Sequence, residues 1–260
     1  MLRAFSTAAT GMDAQQTMVD VIANNLANVN TNGYKRSQVN FQDLLYVKMR
    51  QASREVSAGI TAPSGMEVGS GVQIASTNRA FTVGEFQSTG NELDMAIQGD
   101  GFFQVTLPNG ELRYTRDGAL QKDADGLLVT ASGYQLTPSI TIPQDALAVD
   151  IASDGTVSVE TYSGTQVVGS IQLYRFSNPA GLTAEGGNLF RETEASGAAI
   201  TGTPGENGFG TLLSQYLEKS NVQMVNELVN LITAQRAYEI NSRAIRTGDN
   251  MLQQLNQLIR

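Results

Sequence analysis

The stretch that decides the fold class is the C-terminal segment Met224–Arg260, MVNELVNLITAQRAYEINSRAIRTGDNMLQQLNQLIR. Apolar side chains recur in it every seven residues without a gap, at Met224, Leu231, Tyr238, Ile245, Leu252 and Ile259. This spacing places them on one stripe of an α-helix. The first turns widen the stripe with Val225, Leu228 and Ile232, whereas the second row is polar, with Gln235, Ser242, Asp249 and Asn256. The segment therefore predicts a long amphipathic helix that needs a partner surface.

Two local signals modify this helix. Ser220 and Gln223 match the S-x-x-Q capping box, which predicts the helix start. Gly248 interrupts the pattern and is expected to weaken the helix by roughly 1 kcal/mol relative to Ala.

The N-terminal segment predicts a second helix. Its alternating spacings of three and four residues define a seam of Leu2, Phe5, Ala9, Met12, Gln16, Val19, Ala23 and Leu26. The pattern stops at residues 28–33, NVNTNG, which are dense in turn formers, and Gly33 suits a backbone φ above zero after a helix end. At 1.5 Å per residue, the two ends predict helices of roughly 40–60 Å.

The middle of the chain has a different composition. Residues 71–210 hold 20 of the 26 Gly and five of the six Pro, and they carry 16 acidic against six basic residues. Short apolar runs there are separated by turn pairs, including Gly99–Gly101, Asp117–Gly118, Asp125–Gly126, Ser132–Gly133 and Ser163–Gly164. This alternation predicts an antiparallel β domain built from hairpins. Residues 178–210, rich in Gly, Ala, Thr and Glu, are expected to form irregular loops.

We therefore expect an α+β fold with paired, coiled-coil-like terminal helices and a central antiparallel all-β domain. The expected domains are a helical core from residues 1–30 and 215–260, a connector and extended arm over residues 31–70, and a central β-rich domain over residues 71–214. Within the connector, residues 46–70 have no evident core of their own, so an arm and a loop both remain open.

Composition excludes several classes of function. The chain has no Cys, no His and no Trp, so thiolate chemistry, imidazole bases and Cys-based zinc sites are ruled out. The net charge of −8 argues against nucleic-acid binding. No apolar run of about 18 residues is present, and the N-terminal residues lack a signal-peptide core, so we expect no membrane insertion and no cleaved signal.

The remaining chemical motifs have plainer interpretations. Asp123–Gly126 opens like a calcium loop but lacks the later ligands, so a hairpin turn is favoured. Asp94 and Asp100 are a candidate acid–base pair, but the neighbouring turn glycines favour solvated or turn-bonded carboxylates. A carboxylate-based glycosidase remains an alternative of another class, although no carboxylate pair is flanked by the aromatic residues that sugar sites need. An amphipathic membrane binder is a third class, disfavoured because the first helix lacks a basic face.

Each terminal seam requires cover that an isolated helix cannot supply. Pairing the two ends with each other is the simplest arrangement, and the low charge beside the seams suits burial against neighbouring subunits. A self-contained helical hairpin and an intersubunit role remain equally open on periodicity alone. Repeated head-to-tail contacts that do not close a ring produce helical filaments.

Three blocks of sequence are highly specific as a set. Residues 23–35 read ANNLANVNTNGYK, residues 93–103 and 114–118 read LDMAIQGDGFF and YTRDG, and residues 220–222, 227–228 and 232–239 read SNV, EL and ITAQRAYE. In this order they resemble the N-terminal, central and C-terminal motifs of the bacterial flagellar rod and hook protein family. The resemblance spans almost the whole chain. The single modest central domain and the segment near residues 46–70 are most similar to the distal rod members, with hook and proximal-rod members as alternatives.

The resemblance implies a structural protein without catalytic activity, metal or cofactor. It implies export through the flagellar type III apparatus without cleavage. It also implies self-assembly in the periplasm into a rigid hollow helical tube that transmits motor torque to the hook. The implied partners are further copies of the chain, the other axial proteins of the proximal rod and hook, and the surrounding outer-membrane and peptidoglycan ring proteins. The terminal helices would line the tube, with the central domain outside, and residues 46–70 would reach a neighbouring subunit.

The candidate interface residues follow from the seams and the resemblance. In the helical core they are Leu2, Phe5, Met12, Val19, Asn24, Asn25, Leu26, Asn28, Met224, Leu228, Leu231, Gln235, Arg236, Tyr238, Ile245 and Leu252. In the arm they are Lys48, Arg50, Arg54 and Pro63. The cluster of Asn side chains is expected to bond to the backbone or to neighbouring subunits, and Arg236 is expected to pair with Glu239 or to lie in an interface.

Overall fold

Two long helices and a series of short antiparallel strands form the chain, as the expected α+β class requires. The structure is a computed structural model that describes residues 2–50, 55–57, 60–61 and 65–258. It divides into two compact units. The helical unit comprises Met1–Leu26, Ser37–Asn78 and Met224–Arg260, and the β unit comprises Ala27–Arg36 and Arg79–Gln223.

Both predicted helices are present. Helix α1 spans Leu2–Ala27 and helix α2 spans Met224–Leu258, with 26 and 35 residues. At 1.5 Å per residue their lengths are about 39 and 52 Å. The turn after α1 includes Gly33 with φ of 65°, as predicted.

The predicted capping box is wrong. Helix α2 begins at Met224, so Ser220 lies too far upstream to cap it. The Ser220 hydroxyl instead accepts a hydrogen bond from the Val222 backbone N–H at 3.3 Å. The side chain of Asn221 is held by the backbone of other segments, which keeps residues 220–223 out of the helix.

The two helices pack against each other in antiparallel orientation. A Cβ atom on Gly248 would lie 2.7 Å from the Phe5 ring, and one on Gly11 would lie 2.9 Å from the Asn241 side-chain nitrogen. The start of α1 therefore contacts the end of α2. Gly248, which the sequence suggested only as a weak point, provides room for an aromatic ring.

The seam contains smaller and more polar residues than the apolar pattern predicted. On α2 the second row is Glu227, Ala234, Asn241 and Gly248, one residue away from the predicted polar row, and Glu227 and Ala234 are buried. On α1 the buried positions are Ala14, Ile22 and Asn25, whereas the predicted seam residues Ala9, Gln16 and Ala23 are exposed. Small side chains bring helices closest together, and hydrophobic periodicity gives them little weight.

The described residues between positions 37 and 79 form a two-stranded β-ribbon. Its strands are β1 (Ser37–Asp43), β2 (Val47–Arg50), β3 (Glu55–Ser57), β4 (Ile60–Thr61), β5 (Met66–Val68) and β6 (Val72–Arg79). They pair as β1 with β6, β2 with β5 and β3 with β4. This nested order is that of a single extended hairpin, so the segment left open as arm or loop is a β-hairpin arm.

The β unit contains sixteen short strands. They are β7 (Phe86–Ser88), β8 (Met95–Gln98), β9 (Phe103–Thr106), β10 (Leu112–Thr115), β11 (Leu120–Lys122), β12 (Leu128–Thr130), β13 (Gln135–Thr137), β14 (Ala148–Ile151), β15 (Thr156–Thr161), β16 (Gly164–Ser170), β17 (Leu173–Arg175), β18 (Thr183–Gly186), β19 (Leu189–Arg191), β20 (Ile200–Gly202), β21 (Thr211–Ser214) and β22 (Tyr216–Glu218), with a 3-10 turn at Pro179–Gly181.

The largest sheet has seven strands in the order β11-β12-β13-β9-β10-β19-β18, and β14-β15-β16 form a second sheet. Three further pairs join distant segments: β17 with β20, β8 with β21, and β7 with β22. All these pairings are antiparallel.

Three of the turn pairs close hairpins as predicted, and two do not. Gly126, Gly133 and Gly164 have positive φ in the turns β11–β12, β12–β13 and β15–β16. However, β8 pairs with β21 rather than across Gly99–Gly101 with β9, and no hairpin forms across Asp117–Gly118 in the described β unit. The expectation of irregular loops over residues 178–210 is correct only in part, because the region also contains the short strands β18, β19 and β20.

Two apolar clusters support the β unit. The larger contains residues from both main sheets, including Phe103, Val105, Leu128, Val157 and Leu173. The smaller is aromatic and is centred on Phe102, Tyr114, Phe176 and Phe190, whose rings meet edge to face. Such pairs contribute about 0.5–1.5 kcal/mol each beyond their buried area.

We expect Gly118→Ala to destabilise the β unit by about 3 kcal/mol, because the new methyl group would overlap backbone that cannot move away. A Cβ atom there would lie 1.7 Å from the Met95 carbonyl oxygen. Gly133→Ala is the matched control, since no atom lies within 4 Å of its Cβ position. The control should lose only about 1 kcal/mol through its positive φ. Urea unfolding of the three proteins measures the difference, and equal losses at both sites would contradict it.

Candidate subunit-interface surfaces

The first three turns of α2 expose a row of large apolar side chains. Val225 is 73% exposed and Ile232 57% exposed, and Met224, Leu228 and Val229 lie beside them, each at least two-fifths exposed. The sequence had grouped Val225, Leu228 and Ile232 with the seam. The structure instead places them away from the buried row of Glu227 and Ala234.

Two open grooves follow the helix pair. One, of about 420 Å³, is lined by Gln16 and Val19 of α1 and by Gln235, Tyr238 and Glu239 of α2. The other, of about 490 Å³, lies near the start of α1 and is lined mainly by apolar surface of Phe5, Ile240, Ala244 and Met251. Three predicted interface residues, Val19, Gln235 and Tyr238, therefore meet at one groove.

The other predicted helical residues divide by exposure. Phe5, Met12, Val19 and Leu26 of α1, and Leu231, Ile245 and Leu252 of α2, are half-buried. Met224, Leu228, Gln235, Arg236 and Tyr238 are exposed. Arg236 forms the predicted local bond to Glu239 at 3.1 Å, with both side chains in solvent. Such a pair contributes a few tenths of a kcal/mol. The side chain of Leu2 lies outside the described part of the chain.

The described part of the arm presents side chains to solvent on both strands. Leu45 is 89% exposed, and Tyr46, Met49 and Met66 are also exposed. Lys48 lies 3.9 Å from Glu67 across the ribbon, an exposed pair that contributes little to stability. Arg50 is exposed as well. Arg54 and Pro63 lie outside the described residues, so their predicted roles have no structural account.

Asn25 shows what the predicted amide cluster does within one subunit. Its side-chain oxygen accepts a hydrogen bond from the Ser37 N–H at 2.9 Å, and its side-chain nitrogen donates to the Ser37 carbonyl at 2.9 Å. The Asn25 amide thus forms the pair of hydrogen bonds that a neighbouring strand would form with Ser37. It connects α1 to the first residue of the arm. Asn25 is buried, whereas Asn24 is exposed. Asn28 accepts a hydrogen bond from the Thr31 hydroxyl in the following turn.

A second asparagine, Asn221, joins separate segments in the β unit. Its oxygen accepts from the Arg36 N–H at 2.7 Å, and its nitrogen donates to the Ala80 carbonyl and the Thr82 hydroxyl, both at 2.8 Å. Arg36 precedes the arm, Ala80 follows it, and Asn221 precedes α2. One side chain therefore fixes the β-unit segments that lead to both the arm and the C-terminal helix.

A buried charge cluster lies in the same unit. Lys35 and Glu218 have fully buried side chains and form an ion pair, and Arg116, 2% exposed, contacts the other Glu218 oxygen at 3.4 Å. Arg116 also donates to the Gly99 carbonyl at 2.7 Å, while Lys35 donates to the Thr82 carbonyl at 2.8 Å. Burial lowers the pKa of the Lys35 ammonium and of the Arg116 guanidinium, and the Glu218 carboxylate opposes both shifts.

Sequence reasoning missed this cluster. Lys35 and Arg116 lie within quoted motifs, but no local spacing links them to Glu218, which is 183 residues from Lys35 and 102 from Arg116. A single sequence contains no signal for such a contact. The sequence favoured a solvated or turn-bonded Asp94; it is buried and accepts a hydrogen bond from Asn91 at 3.0 Å.

The described residues contain no candidate metal site and no helix that could span a membrane. No group of three or more acidic side chains is placed to hold a metal ion there. Neither α1 nor α2 contains, in its described part, a stretch apolar enough to span a bilayer. Asp123–Gly126 forms the predicted hairpin turn, closed by the Gly126 N–H donating to the Asp123 carbonyl at 2.9 Å.

Three family models match the chain in order. Residues 5–35 match the flagella basal body rod protein model, residues 96–159 match the flagellar hook protein FlgE/F/G D1 domain, and residues 213–258 match the C-terminal model of flagellar basal body rod FlgEFG proteins. The three matches lie in the N-terminal, central and C-terminal parts of the chain.

Curated relatives are similar along their full length. The flagellar basal-body rod protein FlgG of Buchnera aphidicola subsp. Schizaphis graminum is 51% identical, with 96% of each chain covered. The proteins of the same name from Caulobacter vibrioides and Borreliella burgdorferi are 49% and 47% identical, with 99% and 100% of each chain covered.

We expect Asn25→Ala to destabilise the helical unit by about 2 kcal/mol, because it leaves the Ser37 N–H and carbonyl without their partner. The substitution Gln16→Ala, at an exposed position of the same helix, should change stability by less than about 0.5 kcal/mol. Chemical denaturation of dilute monomer, followed by circular dichroism at the helix band, gives both values. A loss at Gln16 equal to that at Asn25 would refute this assignment of the amide contact.

Proposed function

Because the chain belongs to the FlgG family of flagellar basal-body rod proteins, we propose that its exposed helical surfaces are the contacts through which copies build the distal rod. The chain is a structural subunit of the flagellar basal body. The single observation that supports the proposed contacts is the exposed apolar row on α2, whose members have no cover within one subunit. Rows of this kind are stable when further helices bury them.

The proposed core of the tube is a set of α1–α2 pairs from many copies. Each pair leaves two grooves and the row of Val225, Leu228 and Ile232 open. Half-buried positions such as Phe5 and Leu231 then become fully buried on assembly. A head-to-tail contact that repeats from copy to copy without closing a ring builds a helical tube.

We assign the predicted domains to roles in that tube. The terminal helices form its inner wall, the β unit faces outward, and the arm reaches a neighbouring copy. The acidic composition of residues 71–210 supports an outward position, because net charge aids solubility. Rigid hollow tubes of this kind transmit motor torque to the hook.

The proposal extends to partners and location. The axial neighbours are proximal-rod and hook proteins, and the surrounding ring proteins of the peptidoglycan layer and outer membrane enclose the tube as it crosses the periplasm. Export proceeds without cleavage. The chain has no catalytic role, which agrees with its lack of His and Cys. A hook or proximal-rod identity is less well supported, because the relatives above are all named FlgG.

We expect Ile232→Glu to abolish assembly without unfolding the subunit. Ile232 is 57% exposed in the isolated chain, so a carboxylate there meets water, but in a packed tube it would be buried without a partner. Val167→Glu on β16 is the matched control, since Val167 is 62% exposed and lies outside the helical unit. Negative-stain microscopy of concentrated protein should show tubes for the control only. Normal tubes from Ile232→Glu would disprove the proposed contact face.

We expect deletion of residues 46–63 to leave tube formation intact and to lower tube stiffness. The deletion removes the outer part of the arm, whose exposed Tyr46 and Met49 would otherwise pack on a neighbour. It leaves β1 and β6 paired. Persistence length and curvature measured on electron micrographs provide the test. An unchanged persistence length would rule out the stiffening role while leaving the helical contacts unaffected.

A further inference from the structure

The β unit is closed by a residue from near the far end of the chain. Strand β22 (Tyr216–Glu218) pairs with β7, and its last residue, Glu218, has a fully buried side chain. Its carboxylate accepts hydrogen bonds from Lys35, from Arg116 and from the Gly84 N–H, the last at 2.9 Å. Its backbone carbonyl accepts from the Gly33 N–H at 2.8 Å. One residue therefore binds three segments that are remote in sequence.

The charges of this cluster are unequal. Lys35 and Arg116 bring two positive charges into the interior, and Glu218 brings the carboxylate that both of them contact, while the Asp100 carboxylate adds a further favourable electrostatic interaction with Arg116. Burying a cation without a counter-charge is strongly unfavourable, and removing one member of a buried pair leaves such a charge behind. The linker residues 27–36 therefore cannot dock stably at Lys35 until Glu218 is in place.

Close backbone contacts make the docking depend on position as well as charge. A Cβ atom on Gly33 would lie 2.7 Å from the backbone of Arg116 and Asp117, and one on Gly84 would lie 2.0 Å from the Lys219 carbonyl oxygen. The linker thus passes close to Arg116 and Asp117, and the Gly84 segment passes close to the residues after β22, in both places without room for a side chain. Asn221 joins the same segments through Arg36 and Ala80.

We propose that Glu218 is a latch that couples docking of the N-terminal linker to arrival of the C-terminal strand, so that both ends of the chain become anchored in one event. A chain that ends before Glu218 keeps two cations without their partner and leaves the linker to α1 undocked. Docking of the linker therefore depends on a chain that extends through Glu218. The latch acts within one monomer and does not depend on the proposed assembly.

The test compares amide hydrogen exchange in dilute full-length monomers of the natural chain, Glu218→Gln and Glu185→Gln. Glutamine keeps the shape and an acceptor oxygen but removes the charge. Glu185 is the control, because it pairs with Arg113 and Arg191 in the same unit without joining the chain ends. In Glu218→Gln the amides of Gly33 and Arg36 should exchange at least about tenfold faster, through local opening. The amides of Val105 and Arg113, in the β9–β10 ladder, should change less than about threefold.

The double variant Lys35→Met/Glu218→Gln distinguishes the latch from nonspecific destabilisation by the Glu218→Gln substitution. It removes one of the two unmatched cations, and Arg116 retains the carbonyl oxygens of Gly99 and Ile97. Protection at Gly33 and Arg36 should therefore return to within about threefold of the natural chain. The protection expected in the double variant is the same whether or not Glu218→Gln folds on its own.

Three results would overturn the latch. The first is unchanged exchange at Gly33 and Arg36 in Glu218→Gln. The second is equal acceleration at these amides and at Val105 and Arg113, which indicates global destabilisation. The third is failure of the double variant to restore protection.

Discussion

Helix α2 has apolar side chains on more of its circumference than one partner helix can cover, and the behaviour of the subunit depends on this constraint. Helix α1 contacts α2 at Asn241 and Gly248, which lie in one row with the buried Glu227 and Ala234. The row of Val225 and Ile232 stays in solvent. An isolated subunit therefore exposes apolar surface that water disfavours by about 25 cal/mol per Å². Association would remove this surface from water, as the proposed assembly requires.

The β unit solves a different problem, which is how to hold the segments that lead to the helices and the arm. Asn221 and Glu218 achieve this with hydrogen bonds to backbone groups of other segments. Glu218 adds ion pairs with Lys35 and Arg116, so the arrangement depends on these few side chains. The segments must also be placed accurately, because Gly33, Gly84 and Gly118 each lie where a Cβ atom would overlap neighbouring backbone.

The fold class followed from the sequence because periodicity and turn residues are local signals. The seven-residue repeat of Leu231, Ile245 and Leu252 predicted α2, and Gly126 and Gly133 predicted hairpin turns. Non-local features were beyond a single sequence. The pairing of β8 with β21 joins segments more than a hundred residues apart, and no pattern in either strand specifies the other. The burial of Lys35 and Arg116 could not be predicted either, because their partner Glu218 is distant in sequence and a charged residue is expected to be solvated.

The candidate surfaces were predicted less completely than the fold. Apolar spacing found the residues that are half-buried or exposed on the helices, such as Phe5 and Tyr238, because these are large. It missed Gly11, which lies against Asn241 of α2, and the buried Ala14 and Ala234. Large apolar side chains dominate the hydrophobic periodicity of a sequence. Closely packed helices require small side chains at their contact, so periodicity gives the contact residues little weight.

The hairpin tips of the β unit have open space around them, in contrast to the crowded positions at Gly33, Gly84 and Gly118. A side chain added at Gly133 or Gly164 would meet no atom within 4 Å, and Tyr162 beside Gly164 is 88% exposed. Extra residues inserted at such tips leave strand pairing and the buried clusters unaltered. The tips at Gly133 and Gly164 are therefore sites where an additional module could be inserted. Such an insertion would leave the close backbone contacts at Gly33, Gly84 and Gly118 unchanged.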